Sequence, residues 1–357
     1  MEPLVLNSTT DNYKKYIRRK ILIISSLFLI TVCMAFYAIS SGSSNLSVVE
    51  VIKTLLGKAD IKSNVAIFNI RLPRILMALV SGMGLGVAGC VMQSILKNPL
   101  ASSSTLGVSQ GAAFGAAIAI TLFQAVAVNS TGADAINISN PYMVSICAFI
   151  GSMGATIVIL FLSKYKKITP EAMVLSGVAL SALFSGGTTL IQYFADDVQL
   201  ATIVFWAFGD LGRANYREIL IVTVITLSSI VYFIINSWNY NALESGVQTA
   251  KGLGVNVSSM RIIGMVVCSF VTATIVSFVG IINFIGLIAP HIMRRFIGND
   301  HRYLIPASAI MGAFLLLLSD TFARTIIAPI ILPIGAITSF MGAPLFLYIV
   351  FRGGARK

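Results

Sequence analysis

The chain has 357 residues, 57% of them hydrophobic and 11% charged, with a mean hydropathy of +0.89, and no water-exposed globular surface of this size carries such a balance. It reads as an integral membrane protein, which excludes soluble catalytic domains. The 25 Lys and Arg against 13 Asp and Glu leave a net charge of +12, which in a membrane protein bears on orientation before it bears on nucleic acid.

Residues 1–20 read as a cytoplasmic tail carrying Lys14, Lys15, Arg18, Arg19 and Lys20. The apolar run at 21–40 is too long for the hydrophobic region of a signal peptide and lacks a small-residue cleavage site, so it is an uncleaved first span. In the outer segment 41–70, Val48, Val51, Ile52, Leu55 and Leu56 recur at helical spacing, which predicts a helix lying on the membrane surface. Arg71-Leu72-Pro73-Arg74 follows, with Pro73 placed to start the second span and both arginines at the outer interface. Further runs able to cross about 30 Å of hydrocarbon lie at 75–96, 105–128, 141–163, 172–194, 219–236, 262–282, 283–297, 304–322 and 335–351. Gly82, Gly84, Gly86 and Gly89 in the second run, and Gly111 and Gly115 in the third, predict close helix packing.

The run at 283–297 is short and follows its predecessor without a polar break, so nine spans compete with ten. Charge decides between them. With ten spans and the N-terminus inside, the inner segments hold 17 basic and 5 acidic residues, and the outer ones hold eight of each. Fusing the seventh and eighth runs would move Arg294, Arg295 and Arg302 outside, so the positive-inside rule favours ten spans with both termini cytoplasmic. The fold expected is all-α: a single ten-helix transmembrane domain over 21–351 between tails at 1–20 and 352–357.

Asp320 and Arg324 stand four residues apart in the ninth run, on one helix face near its outer end. The longest inner connection, 237–261, predicts a short helix ended by Gly252 and Gly254, suited to docking in a groove of another protein. Chemistry is otherwise sparse. The chain lacks a Walker-type phosphate loop, and its two histidines, His291 and His301, have no metal-ligand spacing, so neither cofactor nor metal is expected. The four cysteines all fall inside apolar runs and read as small core residues. The spans also lack the buried acids of a proton-coupled carrier: Asp196, Asp197 and Asp210 gather outside the fifth, and Glu171 lies at an inner end. Energy for transport must then come from another subunit.

Several motifs in order now resemble one family. Arg71-Leu72-Pro73-Arg74, Asn98-Pro99-Leu100-Ala101, Leu106-Gly107-Val108-Ser109-Gln110-Gly111-Ala112, Phe284-Ile285-Gly286-Leu287-Ile288-Ala289-Pro290-His291, Asp300-His301-Arg302, Asp320-Thr321-Phe322-Ala323-Arg324 and Gly342-Ala343-Pro344 are similar to the FecCD-type permease subunits of ABC importers for iron-siderophores, haem and cobalamin. The resemblance runs from about residue 65 to the C-terminus. It implies a type II importer permease, not itself an enzyme, in which spans 2–5 and 7–10 form an inverted repeat. It implies a homodimer in the cytoplasmic membrane of a prokaryote, two cytoplasmic ATPase subunits and an extracytoplasmic substrate-binding protein. The site residues it implies are Arg71, Arg74 and Arg324 for binding-protein docking, and Leu243, Gly246, Ala250, Leu253 and Gly254 for coupling to the ATPase. Val247 departs from the family pattern, where an acid is usual. A cytoplasmic gate is implied near Thr169-Pro170-Glu171. The competing reading is an ion-coupled secondary transporter or channel acting alone.

Overall fold

A computed structural model describes residues 2–42, 53–54, 61–123, 126–128, 136–138, 140–166 and 169–354. The expected surface helix at 48–56 falls almost wholly outside them. Among the described residues there are 14 α-helices: α1 Glu2–Ser40, α2 Ile61–Val65, α3 Leu72–Ile95, α4 Val108–Leu122, α5 Pro141–Lys166, α6 Pro170–Phe194, α7 Asp197–Ala207, α8 Tyr216–Ile235, α9 Ser237–Glu244, α10 Val247–Gly252, α11 Val257–Val279, α12 Ile285–Ile297, α13 His301–Thr325 and α14 Ile334–Gly354. A two-stranded antiparallel hairpin, β1 Val126–Val128 with β2 Ile136–Ile138, joins α4 to α5.

Each of the ten expected runs holds a helix: α1, α3, α4, α5, α6, α8, α11, α12, α13 and α14. Seven helices are individually long and apolar enough to cross a membrane. Several boundaries move. Residues 2–20, expected as a tail, continue the first helix. The third run ends at Leu122, and Val126–Val128 of the same run are a strand. Pro73 sits in the first turn of α3, as expected, but no break precedes it: helix runs from Ile61, and a π turn over Ala66–Arg71 leads into Leu72. The wider register lets the Leu72 N–H reach Ile67 O, so the helix is already turning when it meets a residue with no N–H to give. The seventh and eighth runs are separate, as charge predicted, with the chain reversing between Gly280 and Phe284. The helix α7 was not foreseen as an element of its own.

The core is built around α3, which packs against α8, α11, α12 and α13. In the window of its span, 83% of residues are buried, against 6% for α6, so one lies at the centre and the other on the flank. Glycine makes the central contacts possible. A Cβ on Gly89 would collide with the Gly286 carbonyl, and one on Gly82 or Gly86 would strike the Gly312 or Ser308 carbonyl of α13. These helices meet backbone to backbone, and the glycines mark packing as their spacing predicted.

The two halves repeat one plan. α4 packs on α5 as α12 packs on α13, and α11 packs on α5 as α3 packs on α13. The short third and eighth spans begin beside the middle of longer helices. Val108 at the start of α4 accepts a hydrogen bond from Ser152 near the middle of α5 (2.9 Å), and Gly286 at the start of α12 lies against Leu85 and Gly89 in the middle of α3. Both helices are entered through a left-handed residue, Gly107 (φ 83°) and Phe284 (φ 65°).

Candidate functional site

A cluster of three arginines and an aspartate, expected on the outer side, is built where α1 ends against α3 and α13. Arg71, Arg74 and Arg324 are 5%, 6% and 7% exposed, and Asp320 is 0% exposed. Each carboxylate oxygen of Asp320 accepts one guanidinium N–H: Oδ1 from Arg74 Nε at 2.7 Å and Oδ2 from Arg324 Nε at 2.9 Å. The i,i+4 pair expected from sequence therefore exists, but as part of a trio. Arg74 reaches further to Asp210, at 3.2 Å, at the rim.

The remaining donors close off the C-terminus of α1. Arg71 Nη1 donates to Ile39 O (2.7 Å) and Ser40 O (3.1 Å). Arg324 donates through Nη1 to Ser41 O (3.0 Å) and through Nη2 to Ala38 O (3.2 Å). The last carbonyls of a helix have no partner within it and carry its negative dipole end. Guanidinium groups supply both the donors and the charge. The arginines are thus drawn inward, away from the exposed interfacial position their sequence context suggests, because four carbonyls and a buried carboxylate outbid water for their N–H groups.

The connection 237–261, expected on the inner side, folds as two short helices ahead of α11 where sequence predicted a single one. The break falls at Gly246, whose φ of 127° favours glycine. Leu243 and Ala250 are buried and fix the pair to the body, whereas Leu253 is 69% exposed at the tip, between Gly252 and Gly254. The coupling residues named by resemblance so divide into an anchored set and a presented one. Val247 is half-buried on the second helix.

A buried polar chain joins this segment to the core. Asn241 donates from Nδ2 to Asp300 Oδ1 (2.9 Å), while its Oδ1 accepts from the His301 N–H (2.7 Å) and lies 2.9 Å from His301 Nδ1. His301 Nε2 is 2.6 Å from Ser94 Oγ on α3. Next to Ser94, Gln93 accepts from Arg294 Nη1 and donates to Leu287 O at 3.2 Å. Burial works to raise the Asp300 carboxyl, but hydrogen bonds from Arg302 and Asn241 prevail and bring it to about 2. Arg302, which grips Asp300 at 2.6 Å, also stacks over Trp238 of α9 at 4.4 Å. Sequence reasoning registered Asp300-His301-Arg302 only as a motif. Its contacts to Asn241 and Ser94 span 60 and 207 residues, and no local pattern encodes them.

Thr169 and Pro170, named as a gate, form the start of α6. Thr169 caps it, accepting from the Ala172 N–H at 3.4 Å, and Pro170 takes the first position, where its missing N–H costs nothing. The acids outside the fifth span cap as well: Asp196 forms a capping box with Gln199.

Comparison with known proteins adds three findings to this geometry. The model of the FecCD transport family matches residues 27–352. Among curated relatives, a protein of Methanocaldococcus jannaschii provisionally named an ABC transporter permease is 54% identical over 96% of this chain and 97% of its own. The hemin transport system permease protein HmuU of Yersinia pestis is 35% identical over 80% and 82%. Among solved structures, a transporter described as of the metal-chelate ABC type, in an inward-facing conformation, superposes with a TM-score of 0.80 at 32% identity, covering 92% of this chain and 99% of that one.

Proposed function

The chain belongs to the FecCD transport family, and on that premise we propose that it is the permease subunit of an ATP-driven importer carrying iron in an organic chelate across the cytoplasmic membrane. The observation that carries this reading is the family match over residues 27–352. The named relatives support a chelate cargo, one being a hemin permease and the solved neighbour being of metal-chelate type. An iron-siderophore is the cargo we favour, with haem or cobalamin as the alternatives.

In this reading two copies enclose one path. The flank formed by α6 suits such pairing: Leu175, Leu183 and Leu190 are 70%, 66% and 65% exposed, interleaved with the small residues Ala179, Ala182 and Gly186 that let a second helix approach closely. A binding protein delivers the chelate to the outer face, and two ATPase subunits sit beneath. The inner excess of positive charge supports placing both termini and the 237–261 connection on the cytoplasmic side.

Leu253 and Gly254 then project into a groove of the ATPase, and movement of the α9–α10 pair is passed to α3 through Asn241, His301 and Ser94. We assign docking of the binding protein to Arg71, Arg74 and Arg324, whose positive charge gathers at the outer face. Each is buried and engaged in the chain alone, so an incoming carboxylate acts by exchange, competing with Asp320 and the α1 carbonyls for guanidinium donors. Gating at Thr169 and Pro170 rests on their place at the inner start of α6.

The test is uptake of hydroxamate, catecholate, haem and cobalamin chelates by cells lacking this chain. Loss of one class identifies the cargo, and undiminished uptake of all of them refutes the proposal. Transport by the purified chain in vesicles, without an ATPase, would establish instead the ion-coupled carrier.

A further inference from the structure

Among the described helices α1 is the longest, at 39 residues, and so runs about 58 Å from end to end, well beyond the hydrocarbon it has to cross. From Tyr13 to Ser40 it contains neither glycine nor proline, the residues at which helices most often kink. A displacement of one end is therefore felt at the other. At its C-terminal end the carbonyls of Ala38 to Ser41 are held by Arg71 and Arg324. Its N-terminal half is held by a contact of another kind.

The basic residues between Tyr13 and Lys20 divide. Lys14, Lys15, Arg18 and Arg19 are exposed, whereas Lys20 is 2% exposed. Its Nζ lies 4.3 Å from the ring centre of Tyr16, one turn earlier, and 5.1 Å from that of Tyr303 in the first turn of α13. Arg302 continues the series, with its guanidinium 5.6 Å from the Tyr303 ring and 4.4 Å from the Trp238 ring of α9. Ring and cation thus alternate through Tyr16, Lys20, Tyr303, Arg302 and Trp238, leading from α1 over α13 to α9. Anchoring at the membrane interface does not account for Lys20, because a lysine used that way keeps its head in water. None of the ion pairs among the described residues includes it. Burying an ammonium without a carboxylate is costly, and the two ring faces are what offset that cost here.

We propose that Lys20 and Tyr303 are positioning residues for transport: through them α1 acts as a rigid rod that ties the docking arginines at one end of the molecule to the coupling segment at the other. The inference rests on the docking and coupling roles proposed above. A carboxylate of the binding protein that draws Arg71 and Arg324 off the α1 carbonyls frees that end of the rod, and the resulting shift reaches α9 through the stack. Both sites then bias one element, which is the physical requirement for coupling between them.

The test reads that coupling directly, as the ratio of the binding protein's Kd for the permease–ATPase complex without and with a non-hydrolysable ATP analogue. The complex of full chain and ATPase is held in lipid nanodiscs, and the binding protein is loaded with the chelate that the uptake test identifies. For the natural chain the two Kd values should differ by about fivefold or more. Lys20→Leu and Tyr303→Leu should leave the Kd without nucleotide unchanged and bring the ratio close to one, whereas a merely structural role would weaken both affinities together. Lys20→Arg and Tyr303→Phe, which keep the cation and the ring, should retain the natural ratio. So should Arg19→Leu, which removes the same charge from the exposed neighbour. Survival of the ratio in Lys20→Leu or in Tyr303→Leu overturns the inference, as does an equal loss in Arg19→Leu. A ratio of one for the natural chain with both partners bound also overturns it and leaves the permease reading standing, whereas a chain that binds neither partner refutes that reading as well.

Discussion

Removing the carboxylate of Asp320 should destabilise the protein more than truncating Asp210, the other acid that pairs with these arginines. The side chain is 0% exposed and holds Arg74 Nε at 2.7 Å and Arg324 Nε at 2.9 Å. Asp320→Ala leaves two buried guanidiniums facing each other with one rim acid, Asp210, between them and solvent. Breaking a buried ion pair by deleting one partner costs about 3–5 kcal/mol, because the other charge stays buried without compensation. The upper half of that range is expected here, since two cations lose the same partner. Asp210→Ala makes the contrast: its side chain is 41% exposed at 3.2 Å from Arg74, and pairs of that kind contribute about 0–1 kcal/mol. The assay is unfolding of the purified chain in mixed micelles with rising denaturing detergent, followed by circular dichroism, for Asp320→Ala, Asp320→Asn and Asp210→Ala. Asp320→Asn should fall between the other two, because its amide oxygen accepts from one arginine. Should Asp320→Ala lose no more stability than Asp210→Ala, the trio is not a buried charge cluster and the reasoning fails.

Four further outcomes follow from other parts of the molecule. Gly89→Ala should abolish production of monodisperse protein, judged by size-exclusion chromatography, because its Cβ would overlap the Gly286 carbonyl, whereas Gly154→Ala, with nothing within 4 Å, should behave as the natural chain. His301→Ala strips Ser94 and Asn241 of a buried partner and should cost about 1–3 kcal/mol in the same unfolding assay. Asp300, ordinarily near 3.8, is held at about 2 in the folded chain, so its charged form stabilises the fold above pH 4, and this contribution declines as pH falls from 4 through 2. The stability gap between the natural chain and Asp300→Asn should therefore shrink over that window and stay constant from pH 5 to 7. Leu253→Asp, at a position 69% exposed, should leave the unfolding curve unchanged within about 0.5 kcal/mol while abolishing co-purification with the ATPase.

Much of the architecture was legible because a bilayer admits few solutions: apolar length gave ten helices, and the one-sided surplus of Lys and Arg separated the seventh from the eighth. What escaped were features that local sequence does not carry. Pro73 reads as a helix start, yet a π turn built by the preceding residues lets helix run into it. Arg71 and Arg324 read as interfacial because each is charged at a span end. Their burial depends on the C-terminus of α1 arriving beside them, more than 30 residues away for Arg71 and more than 280 for Arg324. In the connection proposed to couple to the ATPase, the break at Gly246 was read as continuous helix because Gly252 and Gly254 gave the stronger stop signal. The His301 relay was invisible for the same reason as the arginine cluster: its members come from α3, α9 and α13.

The contact of α3 with α12 and α13 works like a key in a lock. Advancing α3 by one residue rotates its face by about 100°, which would set a side chain such as Leu85 or Val87 against the Gly312 and Ser308 carbonyls where only hydrogen fits. Such a seam has one register and no intermediate positions, so it can neither slide nor absorb an insertion. Any rearrangement between outward and inward states must carry α3, α12 and α13 along as one block. Relative motion then falls to the flank around α6, the least buried of the seven long helices and the face proposed to meet a second copy.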